Sequence, residues 1–189
     1  LSDCLGAKIS RLVLQNCSHE RLQPPYAANM AAVMLVLFKQ SEHILLCKRQ
    51  PWLRRHPGQI CLPGGMHEPK DSDLLSTAIR ETQEETCLAL DRKQIIADLP
   101  VSATLKQTYI QPFIAVVDKP KGLIAMEDEV AELVYLPLSV CLDEQRWQFS
   151  LINVSGRSVK LPFLIWQRHC IWGATARILF QLCERLNKT

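Results

Sequence analysis

The chain of 189 residues is 48% hydrophobic and 22% charged, with a formal net charge of +3. That is enough apolar material for a single globular domain with a real core, and too little positive charge to argue for a nucleic-acid partner. The longest apolar run, 27–38, falls short of the ~20 residues a bilayer helix needs, and the opening LSDCLGAKIS lacks the basic end and apolar run of a secretory signal.

The eight cysteines are scattered, with no Cys-x-x-Cys and no paired histidine spacing. A zinc site is therefore not expected. They read as small buried thiols of a protein in a reducing, cytoplasmic setting.

In chain order, Leu5 to Leu14 has apolar residues at helical spacing and predicts a short leading helix. Gln23-Pro24-Pro25-Tyr26 ends it. Residues 31–38 (AAVMLVLF) predict a buried strand and 43–49 (HILLCKR) a second one, joined as a hairpin by the turn Gln40-Ser41-Glu42. A loop follows from Gln50 to Gly58, with Arg54, Arg55 and His56, and with Lys48 and Arg49 just before it. It is either a solvated basic loop or a clamp for phosphate groups, which arginine's planar fork suits. Residues 59–62 predict a short strand into Pro63-Gly64-Gly65. The two glycines would let the backbone come close to a ligand or metal. Asp71 or Ser72 is placed to cap the helix that follows.

That helix carries Arg80, Glu81, Glu84 and Glu85. At ~100° per residue the three acids share one face, while Leu75 and Ile79 point toward a core. Like charges at these spacings repel, by roughly 0.2–0.5 kcal/mol per pair. The macrodipole disfavours anions in the later half of a helix, and Arg80 stands four residues before Glu84, the weaker order for an ion pair. Such local conflicts concentrate at functional sites. A divalent cation would resolve this one, since hard cations take oxygen ligands and magnesium keeps waters beside one or two carboxylates and substrate phosphates.

Residues 94–105 and 108–118 predict strands, with Pro112 marking an edge or a bulge. In MEDEVAELVYLPL, Glu127, Asp128 and Glu129 precede a further strand holding Val130, Leu133 and Val134. Residues 147–154 and 159–166 predict a hairpin about Ser155-Gly156. Ile171 opens a final helix to about Leu186, with Ala174, Ile178, Leu182 and Leu186 every four residues. This order predicts an α/β sandwich with a mixed β-sheet between helices, not a doubly wound sheet.

The stretch from Gly65 to Leu88 resembles the Nudix box: Gly, five residues, Glu, seven residues, Arg-Glu, an aliphatic, one residue, Glu-Glu, one residue, Gly, an aliphatic. Here Asp71 stands for the first Glu, eight residues separate it from Arg80, Thr82 replaces the aliphatic, and Cys87 replaces the glycine. The longer spacing with Pro69-Lys70-Asp71 resembles a Nudix subgroup that hydrolyses coenzyme A. Leu45, Leu46, Arg49, Arg54, His56, Gly58 and the Pro-Gly-Gly turn fit that subgroup's preceding pattern, with Leu62 where Phe is expected. A closing Trp-Gly-x-Thr run, at Trp172 to Thr175, is similar too.

The resemblance spans roughly residues 34–179 and implies a single Nudix hydrolase domain, a Nudix-type α/β/α sandwich. It implies metal binding (Mg2+ or Mn2+) by Glu81, Glu84 and Glu85 with Gly65. Glu84 or Glu129 would serve as base, with Arg80 holding a carboxylate. Arg49, Arg54, Arg55 and His56 would bind substrate. The implied reaction is hydrolysis of a diphosphate in a small nucleotide substrate such as coenzyme A, with no nucleic acid or membrane partner. Another nucleoside diphosphate derivative, or a non-catalytic Nudix-fold binding module, is the alternative.

Overall fold

The computed structural model describes residues 29–104, 107–120, 122–154 and 156–188. The leading helix expected over 5–14 lies outside the described residues. The described chain is a mixed α/β fold. Its main sheet has a central pair, β1 (Asn29–Phe38) and β7 (Thr108–Val117), that run parallel in unbroken register from Asn29↔Thr108 to Phe38↔Val117. The remaining pairings in that sheet are antiparallel.

Both faces of β1 are buried, so its sequence is continuously apolar rather than alternating. The two-residue period still sorts the side chains. Ala32, Met34, Val36 and Phe38 enter one core, with Leu45, Ala115 and Val117; Leu35 and Leu37 enter the other, with Ile44, Leu46, Ile114 and Leu136. Helix α1 (Leu74–Thr86) covers the first core through Ala78, Leu75 and Ile79. Helices α2 (Leu138–Leu142) and α3 (Gly173–Asn187) cover the second. A three-stranded antiparallel sheet, β9 (Trp147–Val154), β10 (Arg157–Trp166) and β11 (His169–Ile171), adds Trp147, Leu164 and Ile171 to that second core. Among the described residues no helix is long and apolar enough to cross a membrane.

The feature that positions the chemistry is a split in the sheet. β1 and β2 (His43–Arg49) pair only at Leu37↔Ile44 and Phe38↔His43, then diverge. Two short strands fill the gap: β3 (Ile60–Cys61) pairs with Cys47 and Lys48 of β2, and β4 (Gly64–Met66) pairs with Ala31, Ala32 and Val33 of β1. The amide of Met34 donates to the Pro63 carbonyl at 2.8 Å and closes the wedge between them. β8 (Val130–Pro137) takes the outer edge of β2 along its length.

Several expectations are corrected. The run 94–105 is not one strand: a 3-10 turn at Arg92–Gln94 leads into β5 (Ile95–Asp98), and β6 (Ser102–Ala103) is separate. Leu99 to Val101 stand opposite Gln111 and Pro112, three residues against two, so of the two readings of Pro112 the bulge holds and the edge does not. The helix cap is Asp73, whose carboxylate accepts from the Ser76 amide at 2.7 Å; Asp71 and Ser72 lie before it. Cys87 and Cys170 are exposed, whereas Cys47, Cys141 and Cys183 are buried.

Candidate active site

Helix α1 lies over the wedge with its acids toward β4. Its sheet-facing side is small and hydroxylated: Thr82 and Thr86 are buried and return their hydroxyls to the carbonyls four residues earlier, each at 2.6 Å. That lets the helix pack close. Glu85 then points inward, with its side chain 4% exposed, and accepts from the Gly64 amide at 3.1 Å. Glu81, 14% exposed, lies against Gly65. A Cβ on Gly65 would fall 2.4 Å from the Glu81 carboxylate, and one on Gly64, at φ +150°, 2.3 Å from the Ala32 carbonyl. Both positions therefore require glycine, one for the carboxylate and one for the neighbouring strand.

Arg80 ties the acids together. Its Nε and Nη2 donate to the two oxygens of Asp71 at 2.9 and 3.0 Å, and its Nη1 donates to Glu81 at 2.9 Å and Glu84 at 2.7 Å. The repulsion between Glu81 and Glu84 read from the sequence is thus bridged by a side chain of the same helix. Asp71 also accepts from the Glu68 amide and the Thr77 hydroxyl. The Arg80 guanidinium beside it, foremost, holds the Asp71 carboxyl well below the usual carboxylate range. This explains the corrected cap: Asp71 is drawn to Arg80, leaving the first turn to Asp73.

Burial pushes the Glu85 carboxyl up to about 8, with the Glu81 and Glu129 charges adding to it and the Gly64 amide and Arg49 opposing. Burial likewise raises Glu81, opposed by Arg80. Arg49, at the end of β2, reaches Glu85 at 4.0 Å and donates through Nε to the Arg55 carbonyl at 3.3 Å.

The segment 124–129 closes the far side. The Ile124 and Met126 amides donate to the Thr86 and Glu85 carbonyls, taking up acceptors that the end of α1 leaves free. The exposed Glu129 sits at the end of this segment, and its carbonyl accepts from the Gln50 amide at 2.9 Å.

The structure thus brings Arg49, Gly65, Arg80, Glu81, Glu84 and Glu85 together, with Glu129 near enough for its charge to act on Glu81 and Glu85. Arg54, Arg55 and His56 are exposed on the loop beyond Arg49. One residue and one pairing escaped the sequence reading. Gln50 is buried, and its amide donates to the carbonyls of Glu127 and Val130, fastening the basic loop to the acidic one. A lone polar residue after a strand carries no signal of that. The Asp71–Arg80 pair did leave one, an acid and a base both inside the box.

Among the described residues, no group of three or more His, Cys, Asp or Glu side chains is placed to hold a metal ion. An open site needs no such group: magnesium retains waters beside one or two carboxylates and phosphate oxygens. Two shielded carboxylates with oxygen-only donors, over a glycine whose Cβ would fill the space, fit a hard divalent cation.

The NUDIX domain model matches residues 28–152. The uncharacterized Nudix hydrolase NudL of Photorhabdus laumondii is 31% identical over 157 residues, covering 82% of this chain and 84% of that protein. NudL of Citrobacter koseri is 32% identical over 157 residues, 82% of each chain. Among solved structures, a MutT/nudix family protein from Enterococcus faecalis aligns over 98% of this chain and 75% of its own, with TM-score 0.58 and 15% identity, a likeness of fold. With the family model covering most of the described sheet and the acids of α1 set over the glycine turn, the chain belongs to the Nudix hydrolase family.

Proposed function

We propose that this chain is a coenzyme A diphosphatase, a single Nudix hydrolase domain that cleaves the diphosphate of coenzyme A or its derivatives to 4′-phosphopantetheine and adenosine 3′,5′-bisphosphate. The observation that carries a diphosphate-cleaving reading is the pair Glu81 and Glu85, shielded from water against the Gly64-Gly65 turn. The finer substrate reading rests on the longer Asp71 loop and the basic segment from Arg49 to His56.

Nudix hydrolases generally use a divalent metal. Here Glu81 and Glu85, with Glu84 and the Gly65 backbone, would hold Mg2+ or Mn2+. A divalent cation in that place supplies positive charge against the phosphate oxygens and acidifies water. Arg80 fixes the direction of Glu81 and Glu84, so the acids face the phosphate without having to reorganise. Glu84 or Glu129 takes the proton of the attacking water. Arg54, Arg55 and His56 hold the outer phosphate; Arg49 orients Glu85 and borders the diphosphate.

A second reading, another nucleoside diphosphate derivative such as ADP-ribose, a dinucleotide or a nucleoside triphosphate, draws on one observation. Arg49 is already engaged by Glu85 and the Arg55 carbonyl, which leaves fewer free cations for an extra phosphate. Product analysis with magnesium and a panel of coenzyme A, dephospho-coenzyme A, ADP-ribose and nucleoside triphosphates separates them. The proposal expects 4′-phosphopantetheine and a preference for coenzyme A; equal or better turnover of the others overturns it.

A further inference from the structure

Trp52 stands 67% exposed on the loop between β2 and β3. A single exposed apolar side chain is ordinary on a protein surface. This one differs in its setting. Its loop is braced rather than loose: the Leu53 amide donates to Gln50, the Gln59 amide to His56, and Arg49 holds the Arg55 carbonyl. Gln50, two residues before the indole, is buried and bound to the Glu127, Glu129 and Val130 carbonyls. So the backbone of Trp52 lies within about 7 Å of contour from the joint with the acidic loop, at ~3.3–3.6 Å per residue.

Other exposed apolar side chains stand on the segments that frame the acids. Met66 follows the glycine turn, and Ile124 and Met126 lie in the segment docked on the end of α1; all three are exposed. With Trp52, large apolar groups border a centre of carboxylates and cations. Apolar surface rimming a polar site suits a ligand that carries both. On the loop itself, Trp52 is followed within four residues by the exposed Arg54, Arg55 and His56. A flat π-face beside a cluster of cations matches a base attached to a phosphorylated ribose: the indole stacks the base and the cations take phosphate.

We infer that Trp52 is the stacking platform for the nucleobase of the substrate, and so a specificity-determining residue. This rests on the coenzyme A diphosphatase reading above and extends it to one end of the substrate. The opposite orientation, with the apolar arm of the substrate lying on the indole, is the competing outcome.

The test uses the full chain in magnesium buffer and reads binding rather than turnover. Adenosine 3′,5′-bisphosphate and 4′-phosphopantetheine are titrated separately into wild type, Trp52→Ala and Trp52→Phe, followed by indole emission and by calorimetry. The nucleotide should change wild-type emission and lose that change in both variants. Calorimetric affinity for it should fall by roughly tenfold in Trp52→Ala, on the scale of one base–aromatic stack, and largely recover in Trp52→Phe. Affinity for 4′-phosphopantetheine should not move. Equal nucleotide affinity in wild type and Trp52→Ala, or an effect confined to 4′-phosphopantetheine, overturns the platform while leaving the diphosphatase reading standing. No nucleotide binding by wild type overturns both.

Discussion

At the scale of single residues, two side chains have separable duties. Glu85 is buried with one amide and one distant guanidinium for company, so its charge is best satisfied by a cation. Replacing it with Gln keeps the Gly64 contact and the volume but removes the charge. Glu85→Gln is expected to abolish turnover and to weaken manganese affinity by tenfold or more, an effect at least as large as losing a residue that supports metal ligands; calorimetry and product assay read the two. Arg80 orients rather than coordinates. Its fork spans Asp71, Glu81 and Glu84 at once, which a lysine's point charge does not do. Arg80→Lys should lower kcat by roughly 10–100-fold, with the fold retained by circular dichroism.

At the scale of elements, α1 shows how local rules and site requirements meet. Its C-cap, Cys87, sits at φ 56°, a left-handed conformation that favours glycine. The sequence showed a departure from the box here, and the structure locates it: the helix does end at this residue, without the favourable side chain. Cys87→Gly is expected to stabilise the protein by about 1 kcal/mol, measured by urea unfolding. At the other end Asp73 caps the helix, and the Arg92 guanidinium, foremost, lowers its carboxyl to about 2. Because the folded value lies below the ordinary one of 3.8, this contribution is complete above about pH 4 and disappears as the pH falls toward about 2. Asp73→Asn should flatten that acid limb of the stability profile. Why the sequence misassigned the cap is now plain. Asp71, Ser72 and Asp73 are all competent caps, and the choice is made by Arg80, whose pull on Asp71 is tertiary in origin.

At the scale of the molecule, the sheet divides the protein into two cores, and most of it was legible. Strong apolar runs with clear boundaries gave β1, β2 and the 147–154 strand, and the glycine turn with its spaced acids gave the box helix. Short elements announced themselves unevenly: β3 falls inside the short strand read at 59–62, but others gave no sign. Residues 138–142 form barely more than one helical turn and β11 has three residues; neither is long enough to set up a period. The splaying of β1 from β2 was also invisible, because a hairpin pattern says nothing of how far its strands stay paired. Arg49 read as a substrate ligand from its charge; its engagement with Glu85 depends on that splay. A core substitution tests the two-sided sheet. Leu136, fully buried in the core under α2 and α3, should cost about 2–5 kcal/mol when changed to Ala, by the same urea measurement, with metal affinity at the opposite face unchanged.

The gap between β1 and β2 has a bearing on how such a chain tolerates change. The glycine turn is set opposite Glu81 and Glu85 by its ladder to Ala31, Ala32 and Val33, and by the Pro63 contact to Met34. Beyond the His67 amide, which still bonds the Met30 carbonyl, that spacing owes nothing to 68–70. Extra length there would have room to loop outward, since Pro69 and Lys70 are exposed, and the Arg80 fork would still hold Asp71. A residue gained in this stretch leaves the reagents in place, whereas one gained between Ile60 and Met66 would slide every acid past its glycine.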